Sequence, residues 1–156
     1  MPQLLGEYEC KIDSKGRMRM PSQLIRQLGS EGTQTFVVNR GIEKCLNLYP
    51  KTVWDQLSAK VNGLNTYVKK NREFIRYFYR GASELSLDGS DRLLISKRLL
   101  EYAGVGKDVV LFAVNDHIEI WASDQYDSQM ETEPEDFSGL AEEVMGGQDP
   151  AENGEP

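Results

Sequence analysis

The chain repeats itself, and an internal repeat limits its possible folds more than any local propensity does. Gly6 to Gly29, GEYECKIDSKGRMRMPSQLIRQLG, returns 75 positions later as Gly81 to Gly104, GASELSLDGSDRLLISKRLLEYAG. Asp13 falls on Asp88, Arg17 on Arg92, Met18 on Leu93, Met20 on Ile95, and Leu24 and Ile25 on Leu99 and Leu100. A second block follows in each half. Phe36-Val37-Val38 is set against Leu111-Phe112-Ala113, and Leu46-Asn47-Leu48-Tyr49 against Ile118-Glu119-Ile120-Trp121 at a shift of 72. The three-residue slip is assigned to a turn, where a change of length is cheap. A copy of about 45 residues struggles to bury enough surface alone, so the two are expected to pack together as an intramolecular pseudo-dimer.

Within each copy the periods can be read. Tyr8, Cys10 and Ile12 alternate with charged residues, Ser14-Lys15-Gly16 reads as a turn, and Arg17 to Met20 alternate again, which predicts a β-hairpin. If Met18 and Met20 share the buried face, Arg17 and Arg19 stand together on the outer one. Pro21-Ser22 opens a short helix with Leu24, Ile25 and Leu28 on one side, and Gly29 stops it; Ser96 and Gly104 bracket the second copy. Phe36 to Val38 and Cys45 to Tyr49 read as a hairpin across Asn39-Arg40-Gly41, as do Val109 to Val114 and Ile118 to Trp121 across Asn115-Asp116. Val53, Trp54, Leu57 and Val61, then Phe74, Ile75 and Phe78, recur at helical spacing and predict two helices separated near Asn62-Gly63. The expected class is α+β and β-rich: repeat 1 over 6–52, a helical linker over 53–80, repeat 2 over 81–124, and an acidic tail over 125–156. In that tail Phe137, Leu140, Ala141, Val144 and Met145 form an amphipathic stretch, and Gly146 to Pro156 are expected to be disordered.

A net charge of −7 looks unfavourable for a nucleic-acid partner until the charges are placed. All 18 Lys and Arg lie between Lys11 and Lys107, so residues 1–122, with 14 acids, carry +4, and residues 123–156 carry −11. No run of 18 apolar residues occurs, and the first residues lack the charged start and apolar core of a secretory signal. A soluble, cytoplasmic chain is expected. Cys10 and Cys45 stand far apart without zinc-ligand spacing and read as buried small hydrophobes.

The doubled Asp-x-x-x-Arg, Asp13 to Arg17 and Asp88 to Arg92, is open to two readings. In one, each Asp accepts turn N–H groups and pairs with its Arg, which fixes a turn and nothing more. In the other, Lys11, Lys15, Arg17, Arg19 and Arg26 against Asp13 concentrate +4 on a hairpin tip and its outer face. An Arg on a narrow β-ribbon suits phosphate, and its planar fork also matches guanine O6 and N7 in a major groove.

Over roughly residues 1 to 145 the sequence resembles the MraZ family of bacterial transcriptional regulators, which carry two SpoVT-AbrB-type units in tandem. The match rests on Asp13-Ser14-Lys15-Gly16-Arg17 with Met20-Pro21, on Asp88-Gly89-Ser90-Asp91-Arg92-Leu93-Leu94-Ile95, and on Ile118-Glu119-Ile120-Trp121. The resemblance implies a swapped-hairpin, AbrB-like β-barrel fold and assembly into homo-oligomeric rings. It further implies binding, as a repressor, to short direct repeats of double-stranded DNA upstream of its own division and cell-wall gene cluster, with a nucleoid location. It carries DNA contact over to Lys15, Arg17 and Arg92; Arg19 joins them as a candidate through its outward place beside Arg17, and Asp13 and Asp88 are expected to orient the motif. Asp91 stands where the first copy has Gly16, and its carboxylate could pair with Arg92 or weaken its approach to phosphate. Ser96 in place of Pro21 remains a good N-cap. A ring-forming scaffold that holds an acidic protein partner through its basic hairpins is the alternative.

Other signals are weaker. Arg72, Arg76 and Arg80 form a stripe that reads first as a solvated face or subunit contact. Gly104-Val105-Gly106-Lys107-Asp108 lacks the spacing and the Ser or Thr of a phosphate loop and reads as a helix stop and turn. His117 has no catalytic partners in view, and the aromatics read as core rather than base-stacking platforms. No enzyme activity, cofactor, metal, membrane or small-molecule substrate is expected. The acidic tail reads first as a solubility device; as a tethered competitor for the basic hairpin, it would raise the affinity threshold for DNA.

Overall fold

Alternating apolar and charged residues make Leu4–Lys11 a strand, β1, but its partner lies about a hundred residues away, in the other half of the chain. The computed structural model describes residues 3–29, 35–131 and 133–146. After β1 come β2 (Arg17–Arg19), α1 (Ser22–Leu28), β3 (Thr35–Arg40), β4 (Leu46–Pro50), α2 (Lys51–Asn62) and α3 (Lys69–Tyr79). The second half follows with β5 (Ser83–Ser86), β6 (Arg92–Leu94), α4 (Lys97–Tyr102), β7 (Asp108–Asn115), β8 (His117–Ala122) and α5 (Ser123–Gln129). One unit of the chain is Met1–Tyr126; the other, Asp127–Pro156, contains α6 (Pro134–Ala141) and a π-helical turn, Glu142–Gly146.

The larger sheet has six antiparallel strands in the order β1-β7-β8-β4-β3-β5, and β2 pairs with β6 in a separate two-stranded ribbon. The halves therefore exchange strands: β1 with β7, β5 with β3, and β2 with β6. This corrects the hairpin expected over Tyr8 to Met20. The turn forms, yet only a lone bridge, Ile12 to Met18, joins its arms. β1 pairs over its whole eight-residue length with β7, while β2 is three residues long and finds its ladder in β6.

The pairings also correct the alignment of the second block. Phe36 faces Leu85 and Pro50, and Val109 faces Cys10 and Ala122, so Phe36 corresponds to Val109 and Val38 to Leu111. The shift there is 73, because five residues separate Gly29 from Thr35 whereas three separate Gly104 from Asp108. Only one residue of the slip remains for the hairpin loop. That loop is Gly41 to Cys45, closed by the Gly41 N–H on the Cys45 carbonyl (2.8 Å); Asn39 and Arg40, expected in the turn, belong to β3. The second hairpin turns at Asn115-Asp116 as expected, with Asn115 at φ +62°.

Met18, Met20, Leu24 and Phe36 meet Leu93, Ile95, Leu99 and Leu111 in one core shared by the halves. Each full burial of this kind contributes roughly 1.5–3 kcal/mol. On the other sheet face each β-hairpin is covered by the helix that follows it. Tyr49 meets Trp54 of α2 at 5.8 Å, and Trp121 meets Tyr126 of α5 at 6.2 Å. The expected helices end where predicted, Gly29 and Gly104 taking positive φ after α1 and α4, and the Ser96 hydroxyl accepts from the Leu99 N–H at 3.3 Å. Cys45 is buried, but Cys10 is only half-buried at the core's edge, against the expectation for both. In the second unit Phe137, Leu140, Val144 and Met145 are all exposed, and the disorder expected over Gly146 to Pro156 falls on residues 147–156, outside those described.

Gly16 tests the design of the first turn. Its φ is +85°, and a Cβ there would sit 2.7 Å from the Ile95 carbonyl oxygen, which is backbone and cannot yield. Gly16→Ala is expected to cost about 1–3 kcal/mol in urea unfolding. Asp91→Gly, at the matching left-handed position, should change stability by less than about 1 kcal/mol.

Candidate nucleic-acid interface

Each Asp-x-x-x-Arg segment folds into the same clasp. The Asp13 Oδ1 accepts the N–H groups of Lys15 and Arg17, both at 2.9 Å, while Oδ2 accepts Arg17 Nε–H at 2.8 Å. In the second half Asp88 Oδ1 accepts from Ser90 (2.8 Å) and Arg92 (2.9 Å), and Oδ2 accepts Arg92 Nε–H at 2.9 Å. The backbone closes both turns, with Asp13 N–H on the Arg17 carbonyl and Asp88 N–H on that of Arg92, each 2.9 Å. The turn-fixing reading is therefore correct as far as it goes. It also aims the arginines: with Nε held by the carboxylate, the outer guanidinium nitrogens make no hydrogen bond among the described residues, and the side chains are about a third exposed.

The clasps are locked to each other. Ile95 N–H donates to the Gly16 carbonyl at 2.9 Å, and Met20 N–H to that of Asp91 at 2.8 Å, a reciprocal latch across the ribbon. Between the latches Arg17 faces Leu94, Met18 faces Leu93 and Arg19 faces Arg92. Met18 and Leu93 are fully buried, so the period of two turns Arg17, Arg19, Arg92 and Leu94 to the opposite face. The structure thus brings Arg17, Arg19 and Arg92 onto one surface, Arg17 held by Asp13 and Arg92 by Asp88, with Lys15 exposed at the tip of the first turn. Arg19 forms no ion pair among the described residues, and like charges directly opposed across strands are unfavourable until an anion neutralises them. Asp91 forms no ion pair with Arg92 among the described residues; its part is the backbone latch at φ +60°.

Leu94 was absent from the residues the sequence singled out, although the 75-residue shift sets it against Arg19. It is 58 % exposed on this face, at the end of the ribbon where it pairs with Arg17. The other candidates lie elsewhere. Arg72 donates to the Thr66 carbonyl at 2.9 Å, and Arg76 and Arg80 lie on α3 and at its end. The His117 Nδ1 meets Asp116 at 3.0 Å, its ring 5.5 Å from Tyr49. Burial raises the thiol of Cys10 to about 11 and, together with nearby Glu119 and Glu43, that of Cys45 to about 12, so both stay protonated near neutrality. No cluster of three or more metal-ligating side chains occurs among the described residues. Tyr67, Phe74 and Tyr77 are exposed, against the core role expected of most aromatics.

A tandem-repeat, β-rich α+β protein whose two Asp-x-x-x-Arg clasps meet in one β-ribbon is the class that fold and site define. A family model described as "MraZ protein, putative antitoxin-like" matches residues 3–76 and again 78–146. A Transcriptional regulator MraZ from Christiangramia forsetii is 44 % identical over 150 residues, covering 96 % of this chain and 97 % of the relative. Proteins of the same name from Flavobacterium psychrophilum (46 % over 147 residues, 94 % of both chains) and Cytophaga hutchinsonii (36 % over 140 residues, 90 % of this chain and 93 % of the relative) are also similar. The chain belongs to the MraZ family.

The clasp makes stability depend on acid. Backbone hydrogen bonds from Arg17 and Arg92, reinforced by Lys15 and Ser90 and by the guanidinium groups, hold the carboxyls of Asp13 and Asp88 below the usual Asp range. A depressed folded-state value means the contribution is complete above the unfolded value near pH 4 and is lost as pH falls through the folded values. Carboxyl NMR should show both titrating below a free Asp, and Asp13→Asn should flatten the loss of stability on acidification.

Proposed function

We propose that this protein is a transcriptional regulator that reads double-stranded DNA through the β2–β6 ribbon, with Arg17, Arg19, Arg92 and Lys15 as the contacting groups and no catalytic role. The observation that carries this reading is the pair of arginines held at Nε by Asp13 and Asp88, with their outer nitrogens unbonded among the described residues and on one face. A two-stranded ribbon fits a major groove, and a pre-aimed guanidinium reaches phosphate or guanine without first being ordered. The relatives' printed name, Transcriptional regulator MraZ, agrees with it. The strand exchange between halves supports the swapped-hairpin barrel that the family resemblance implies.

One ribbon makes few phosphate contacts and binds weakly. A homo-oligomeric ring that offers one ribbon per subunit to successive short direct repeats gains through effective concentration, and repeat number then sets affinity. In this reading the protein represses the division and cell-wall cluster from the DNA upstream of its own gene, at the nucleoid in the cytoplasm.

Arg17→Ala removes one exposed ion pair, a contact of small weight in stability, and should stay folded by circular dichroism. Its affinity for the upstream duplex should fall about 5- to 150-fold per contacted guanine, the range of one lost bidentate contact. Fluorescence anisotropy checks this, and a folded variant with unchanged affinity contradicts the assignment.

A further inference from the structure

We propose that Leu94 gives the ribbon a direction: it packs on the 5-methyl group of a thymine, so that the protein reads an asymmetric DNA element in one orientation. The inference rests on the DNA-reading function above and specifies which face of the base pairs the second half recognises.

The ribbon has a local two-fold axis between Met18 and Leu93, relating Arg17 to Arg92 and Arg19 to Leu94. Were the two halves identical, turning the ribbon by half a turn would present the same groups, and the fitting DNA would be a palindrome. Within the paired strands the halves differ on this face at one position, and at the turn tips Lys15 answers to Ser90. One end of the ribbon pairs Arg19 with Arg92; the other pairs Arg17 with Leu94. The second end therefore carries one cation and one exposed isobutyl group where the first carries two cations.

Single exposed leucines are common and by themselves signify nothing. Leu94 differs in its setting, 58 % exposed on a face otherwise made of arginines and directly opposite the clasped Arg17. Its Cδ1 lies 3.7 Å from where a Gly16 Cβ would stand, so the side chain leans toward the first turn at Gly16. Arg17 there can take a guanine edge or a phosphate, and an apolar neighbour suits the one apolar group the major groove displays, the thymine methyl. Two residues along a strand span about 6.6–6.8 Å, close to two base-pair steps of about 3.4 Å. The arginine pair and the Arg17–Leu94 pair thus address base pairs about two steps apart.

The test uses the full-length protein and a short duplex from immediately upstream of its gene, with thymines replaced one at a time by deoxyuridine, which removes only the methyl group. Wild type should lose about fourfold in affinity at one thymine, the equivalent of about 0.8 kcal/mol for a buried methyl-sized group. Leu94→Ala, folded by circular dichroism and unchanged in oligomeric state, should bind the thymine duplex about fourfold more weakly and be indifferent to that deoxyuridine. Leu94→Arg should also lose the thymine effect while steepening the salt dependence by about 0.9 for one added phosphate contact. A wild type that prefers the upstream duplex to a shuffled one but ignores every deoxyuridine overturns this inference alone, as does a Leu94→Ala variant that stays sensitive or assembles differently. A wild type without preference for the upstream duplex overturns the DNA reading and the inference with it.

Discussion

Three residues from each half, Arg17–Arg19 and Arg92–Leu94, pair antiparallel, and each half supplies the carbonyl that the other's latch requires. Neither strand has a full ladder within its own repeat, where a single bridge joins Ile12 to Met18. The same dependence runs through β1 with β7 and β5 with β3. Met18 and Leu93 fill the inner side, so the strand period turns Arg17, Arg19, Arg92 and Leu94 outward. The arginine-bearing face is thus a by-product of how the repeats complete each other.

The clasp also makes this folding device a candidate site. An ordinary surface arginine must lose side-chain freedom on meeting an anion. Arg17 and Arg92 have lost part of it already, to Asp13 and Asp88, while keeping their outer donors. The overall charge of −7 is compatible with a polyanionic partner because the ribbon's cations are gathered on one face, and each clasping carboxylate has Oδ1 occupied by backbone donors and Oδ2 by its arginine.

Much of this was legible in the sequence because the chain states its pattern twice. The outward placement of Arg17 and Arg19 followed from period alone, and the helix stops at Gly29 and Gly104 from their position. Strand partners were not legible: Tyr8 alternates equally well whether it faces β2 or β7, since alternation fixes a face and not a neighbour. The two-residue error in matching Phe36 to Leu111 has the same origin, because a slip of two leaves every side chain on its face. Leu94 was missed because, inside the apolar run Leu93-Leu94-Ile95, it reads as core.

The most direct measurement is fluorescence anisotropy of a labelled duplex from upstream of this protein's gene, against a shuffled duplex of equal composition, over a series of salt concentrations. The account predicts a preference for the upstream duplex that persists near physiological salt, where nonspecific phosphate binding has weakened. Equal affinity for both duplexes, vanishing together as salt rises, would contradict it and leave the ribbon a generic basic face.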